Sequence, residues 1–240
     1  MAKIILDTCT WLDLAKPKFS EVLSELECQV EEGITILITC EIIVEEWERN
    51  KQKIIKEISN SIKSYAKSAI NIANYLPEEE KEKLNNILEK YRDIESEQLK
   101  IAKSHFKRVE NLFNKSQIFK IENELKLKII ERGINKLAPF HNSKNNISDA
   151  LIYFGAIDFV QSSWIIANEI IFVSQNTKEF SDPNNINEIH PDLKTERVYY
   201  STNLASALKM RKEIIDEFDE NNEAKFEAWI DIQIDESRGK

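Results

Sequence analysis

The stretch Lys3-Ile-Ile-Leu-Asp7-Thr8-Cys-Thr10-Trp11-Leu-Asp13 decides how the chain folds. Residues 3–6 are mostly apolar and do not alternate with polar ones, the pattern of a strand buried on both faces of a parallel sheet. Asp7 and Thr8 stand where that strand ends, and Thr10 is placed to cap a helix beginning at Trp11. In an open parallel sheet, ligands bind in the crevice outside the carboxyl ends of the strands. A carboxylate there is either a cation ligand or a cap for the next helix, and Asp7 alone leaves both open.

Working outward, Phe19, Val22, Leu23, Leu26 and Val30 recur at helical spacing, and Gly33 is a natural terminator. Ile34-Thr-Ile-Leu-Ile-Thr39 is a second strand, rich in β-branched residues. Strand, helix and strand at this spacing predict a right-handed parallel crossover. A helix starts at once with Cys40-Glu-Ile-Ile-Val-Glu45-Glu46-Trp-Glu-Arg49 and meets no stop before Leu76. Pro77 followed by Glu78, Glu79 and Glu80 restarts a helix, with acids at the positive end of its dipole. That helix runs to about Asn114, and a shorter one covers residues 122–132 before Gly133. Residues from about 50 to 132 thus read as a helical hairpin inserted into one α/β domain spanning 1–240. Residues 148–159 form a largely apolar helix, 169–174 a third strand, 175–182 a polar turn and 197–200 a short fourth strand. A last helix runs from Thr202 or Asn203 to about 218, and an acidic tail occupies 216–240.

Composition limits the function. The chain has 240 residues, 42% hydrophobic and 31% charged, with no apolar run long enough for a membrane span. Its start lacks a signal peptide's basic, apolar and small-residue regions, so a cytoplasmic protein is expected. Cys9, Cys28 and Cys40 fit no zinc spacing and read as buried thiols. The net charge of −9 is unevenly shared: residues 51–132 hold 18 Lys and Arg against 13 Asp and Glu, the remainder 15 against 29. With four glycines, the chain holds neither a phosphate-cradling loop nor a dinucleotide fingerprint. Asp7-Thr-Cys-Thr10 lacks the second Asp of a phosphoaspartyl hydrolase, and there is no G-x-S-x-G elbow or Cys–His nucleophile pair.

What remains are acidic and amide side chains at strand ends and helix starts. Asp7 follows strand one and Glu45 and Glu46 follow strand two; Asn176, Glu179 and Asp182 follow strand three, and Asp149 opens the helix before it. Carboxylates converging on one sheet edge repel unless cations neutralise them. Oxygen-only ligation suits Mg²⁺ or Mn²⁺, which activate water and clamp phosphoryl oxygens.

These stretches also resemble one family. Ile4-Ile-Leu-Asp7-Thr-Cys-Thr-Trp11 resembles the opening of PIN-domain ribonucleases. Ile38-Thr-Cys40-Glu-Ile-Ile-Val-Glu-Glu46, Ser148-Asp149-Ala-Leu-Ile and Phe172-Val-Ser174-Gln-Asn176-Thr-Lys-Glu179-Phe180 are similar to the second, third and fourth motifs. Spacing from Cys40, which takes the place of a usual proline, makes Glu46 the better match than Glu45. Asn176 and Glu179 replace the more usual pair of Asp. The long helical stretch makes the chain look like the larger stand-alone bacterial PIN proteins. The resemblance implies a three-layer α/β/α sandwich with a mostly parallel central sheet, divalent-metal dependence and RNA as substrate.

The reading that follows is a metal-dependent endoribonuclease. Asp7, Glu46 and Asp149 hold Mg²⁺ or Mn²⁺, Asn176 or Glu179 completes the site, and Thr8, Ser174 and Lys144 contact substrate. The alternative is an inactive PIN-like scaffold that binds RNA or a protein through its helices. The expected partners are RNA, an antitoxin or other regulator, and a second copy of the chain; no membrane is expected. Each residue keeps a plainer reading: Asp7 as a cap, Asp149 as a dipole partner, Ser174 and Asn176 as turn formers, Asp13 facing away. His105, His141 and His190 read as surface or loop residues, with His141 and Lys144 close enough in sequence to Asp149 to reach a phosphate. The basic hairpin, with Lys51, Lys53, Lys56, Lys63 and Lys67 countered only by Glu57, and with Lys100, Lys103, Lys107 and Arg108 further on, is a candidate for tracking an RNA backbone.

Overall fold

A computed structural model of the chain describes residues 2–142, 146–162, 169–196 and 198–211. The chain opens with β1 (Ala2–Leu6), α1 (Thr8–Leu14), a 3₁₀ turn (Pro17–Phe19), α2 (Ser20–Glu31) and β2 (Ile36–Cys40). Three helices follow, α3 (Glu41–Ala73), α4 (Glu78–Glu89) and α5 (Tyr91–Lys115), then β3 (Gln117–Phe119), α6 (Asn123–Ile134) and α7 (Ile147–Gln161). Then come β4 (Glu169–Val173), α8 (Thr177–Phe180), the hairpin β5 (Ser181–Asp182) and β6 (Asn185–Ile189), a 3₁₀ turn (Pro191–Leu193) and β7 (Val198–Ser201). Residues 204–211 are helical.

Five strands form the main sheet in the order β3-β2-β1-β4-β7, and every neighbouring pair is parallel. The central strand is the apolar opening run: Ile4, Ile5 and Leu6 are wholly buried, as an unalternating strand covered by helices on both faces must be. The chain steps outward from β1 to β2 and β3, then returns to the other side of β1 through β4 and β7. That reversal creates a switch point at the carboxyl end of β1, where a crevice opens. The architecture is the expected α/β/α arrangement around a parallel sheet. No helix among the described residues is long and apolar enough to cross a membrane.

Aromatic packing fixes the helices that carry the site. Trp11 of α1 lies 4.6 Å from Phe113 of α5, and Trp47 of α3 meets Phe106 and Phe113 edge-on at 5.6 and 5.8 Å. Both Trp rings are fully buried. On α7, Gly155 lets the ring of Phe119 approach closely: a Cβ there would stand 2.7 Å from it. Within 50–132, Ile54 and Ile58 of α3 and Ala102, Phe106, Val109, Leu112 and Phe113 of α5 belong to the main core. By contrast, α4 buries no residue.

Several boundaries differ from those read in the sequence. Strand two starts at Ile36, because Thr35 is held back to α2, donating its amide to the Gln29 carbonyl (3.0 Å) and its hydroxyl to Oε1 (2.8 Å). The helix expected from 78 to 114 is two, meeting at Lys90. The first helix begins at Thr8, capped by Asp7, so Thr10 is not its cap. Strand β3 had no expectation, and neither did the β5–β6 hairpin, which begins in the last two residues of the expected polar turn and runs beyond it. His105 is a correction: it is buried, with Nδ1 at 3.0 Å from the Leu14 carbonyl and Nε2 at 3.1 Å from the Ser20 hydroxyl. The expected tail at 216–240 and Lys144 lie outside the described residues.

Candidate active site

Asp7 sits at the switch point, its amide donating to the Val173 carbonyl at 2.9 Å and so extending the β1–β4 ladder by one bond. Its carboxylate is 2% exposed and serves two purposes at once. Oδ1 accepts from the Thr8 amide at 2.7 Å, which caps α1. Oδ2 accepts from the Ser174 hydroxyl at 2.7 Å, the Cys9 thiol at 3.1 Å and the Asn176 amide at 3.3 Å. Ser174 is itself pinned, since its hydroxyl accepts from the Asn176 backbone N–H at 3.1 Å. The capping reading of Asp7 is thus observed, through Oδ1, while Oδ2 gathers three side-chain donors.

Glu46 joins through Thr8, whose hydroxyl donates to Glu46 Oε2 at 2.7 Å. Arg49 and Asn50 follow one turn later; the guanidinium stands 4.0 Å from Glu46 Oε1, and the Asn50 amide donates to the Glu46 carbonyl at 2.8 Å. Asp149 comes in from the first turn of α7. These residues line one open cleft of about 490 Å³: Asp7, Thr8, Cys9, Leu12, Glu46, Arg49, Asn50, Asp149 and Asn176.

The cleft thus unites Asp7, Thr8, Glu46, Asp149 and Asn176 and leaves other expected residues out. Glu45 is exposed on α3 and does not line it. Ser174 is buried beneath Asp7, holding the carboxylate in place. Glu179 is buried in α8 and is not part of the lining. Asp182 and His141 line a separate cleft of about 590 Å³, where His141 stacks on His190 at 4.7 Å. Asp13 accepts from Lys16 and Gln175 and does not line the site. The sequence reading missed Arg49 and Asn50, although positions three and four beyond Glu46 share its side of a helix.

Burial is the main force on the Asp7 carboxyl and raises its pKa; Glu46 raises it further, while Ser174, Cys9 and Thr8 oppose the shift by donating to the charged form. Burial also pushes the Cys9 thiol far up, with Asp7 beside it, so Cys9 stays a protonated donor and offers no thiolate to a metal or substrate. What lines the cleft is consequently a set of oxygen donors, from carboxylates and the Asn176 amide. Among the described residues, no three His, Cys, Asp or Glu side chains form a ready chelate. Mg²⁺ does not ask for one: it keeps several waters and takes one or two carboxylates at a time. A hard divalent cation fits this donor set, and a thiolate-seeking metal does not.

The fold and cleft define a class: a parallel α/β domain with an acidic site at the carboxyl end of its central strand. A family model described as PIN domain matches residues 4–180, and the chain belongs to the PIN-domain family. PIN domains are in general nucleases and typically use divalent metals. Neither the curated proteins nor the solved structures contain a match to the chain.

Proposed function

We propose that this protein is a divalent-metal-dependent endoribonuclease. The observation that carries the reading is the convergence of Asp7, Glu46, Asp149 and Asn176 on one cleft in a PIN-domain chain. Asp7, Glu46 and Asp149 would hold Mg²⁺ or Mn²⁺, with Asn176 beside them. When bound, the ion supplies a water of lowered pKa and charge to offset that on the phosphoryl oxygens.

The chain's own residues provide the rest. Ser174 and the Thr8 amide fix the Asp7 carboxylate, and the Thr8 hydroxyl fixes Glu46 relative to it. Such positioning matters because angstrom-scale displacement of catalytic groups costs orders of magnitude in rate. Arg49, at the cleft and largely exposed, is the cation available to a phosphate oxygen.

Incubating the full chain with labelled RNA and Mn²⁺, alongside Asp7→Asn and Asp149→Asn, tests the proposal. Cleavage by the native chain that falls at least a hundredfold in both variants is expected. A second reading has one observation in its favour: Asn176 stands where the fourth motif more usually carries Asp. In that reading the chain binds RNA or a protein partner without cutting, and RNA binding by a native chain that cuts with neither Mg²⁺ nor Mn²⁺ would favour it.

A further inference from the structure

The structure singles out one outer face of α3 as a surface with a partner of its own. From Arg49 to Pro77 the chain carries six Lys and Arg and a single acid, Glu57, in a protein with 42 acidic residues. Five of those cations, Arg49, Lys53, Lys56, Lys63 and Lys67, follow one another at steps of four and three, with Asn60 filling the one gap. Steps of four and three keep to one side of a helix. The opposite side is the one that Trp47, Ile54 and Ile58 bury, so the stripe points straight outward. It spans 19 residues, 18 steps that rise about 27 Å at 1.5 Å each.

Its cations are uncommitted. Lys56 and Lys67 are exposed, and the contacts of Arg49 with Glu46, Lys53 with Glu57 and Lys63 with Glu95 measure 4.0, 4.0 and 3.6 Å. Pairs this long on a wet surface hold little. Several cations elsewhere are tied more closely. Lys51 lies 2.6 Å from Glu48 and 3.3 Å from Glu110, Lys115 is 2.9 Å from Glu31, and Arg108 grips Glu27 at 2.6 Å while donating to Ser24. Arg108 is thus committed to Glu27 and Ser24 in the folded chain.

The stripe begins inside the cleft, because Arg49 is one of the cleft's lining residues. A solvated helix face has no reason to hold a single acid over about seven turns, to start at the candidate site, or to lack close ion pairs. We infer that Lys53, Lys56, Lys63 and Lys67, with Arg49 at the cleft, form a rail for the phosphate backbone of the RNA, leading it to or from the cleft. The rail carries no aromatic side chain, so it grips phosphates without stacking bases and is indifferent to sequence.

This inference rests on RNA being the ligand of the cleft. Binding of a fluorescent 30-nucleotide RNA to the full-length Asp7→Asn chain, measured across a salt series, tests it. Neutralising Lys53, Lys56, Lys63 and Lys67 to Gln is expected to weaken binding at least tenfold. It should also lower the log–log salt slope by two to three, at about 0.7 for each phosphate no longer neutralised. The same change at Lys100, Lys103 and Lys107 on α5 should leave the slope where it was. In a chain with Asp7 intact, the rail variant should raise KM for long RNA and spare kcat.

An unchanged slope in the rail variant overturns the inference, and cleavage by the native chain would still uphold the nuclease reading. A rail-dependent slope in a chain that never cuts would uphold the rail and end the nuclease reading. Polyglutamate of matched charge competing as well as RNA would mark the stripe as a seat for an acidic polypeptide, against the inference.

Discussion

Asp7 carries a charge in a place that resists it. Its carboxylate is buried, hydrogen-bonded to Ser174 with Glu46 nearby, and burial raises its pKa above the ordinary 3.8. The folded chain then holds a proton that the unfolded chain would release. Stability therefore falls as pH rises from about 3.8 through the raised folded value, and the buried acid is a cost at neutral pH. Asp7→Asn removes that acid, so the variant should be the more stable at pH 7.5 in the absence of divalent cations, by about 1 kcal/mol or 2–4 °C in Tm. Thermal melts at pH 7.5 and 4 check this: the gain should shrink at the lower pH, and a variant less stable at both would contradict it. At this scale the resemblance's motif spacing made Glu46 the better match than Glu45, and it is Glu46 that lines the cleft. The sequence was silent on the donors that hold Asp7, because Ser174 reaches it from 167 residues away.

At the scale of elements, the site depends on how α1, α3 and α5 are fastened together. Trp11, Trp47, Phe106 and Phe113 supply the apolar contact, and His105 supplies a polar stitch from α5 to the end of α1 and the start of α2. Burial is the largest influence on His105 and lowers its pKa from 6.5, with Arg108 next. The unfolded chain takes up the proton first, so stability falls as pH drops from 6.5 toward the lowered value and is flat above it. His105→Ala should cost about 1–3 kcal/mol at pH 7.5 by stranding its partners. Urea midpoints at pH 5 and 7.5 should also lie closer together in the variant than in the native chain; an unchanged gap would remove His105 as the cause. His105 showed no ligand spacing in the sequence, and nothing local marks a histidine that docks helices across 85 residues. The opening strand, the crossover to β2 and the helix bearing Glu46 were legible because each rests on a local apolar pattern. Strand β3 was not: three residues, with Gln117 and Ile118 exposed, are too few to show alternation.

Over the whole molecule, charge and topology agree. The body outside residues 51–132 is strongly acidic, and the parallel order β3-β2-β1-β4-β7 gathers part of that acidity at one crevice. The proposed function rests on this cleft, which gathers carboxylates from the end of β1, from α3 and from α7, together with one arginine. Under the proposed function, the cleft takes up a hard divalent ion through Asp7. Mn²⁺ binding followed by electron paramagnetic resonance reads this without reference to activity. The native chain is expected to take up Mn²⁺ at micromolar to submillimolar concentration, and Asp7→Asn to bind it at least tenfold more weakly. A native chain that leaves millimolar Mn²⁺ free, or a variant that binds as well as the native chain, would contradict the account.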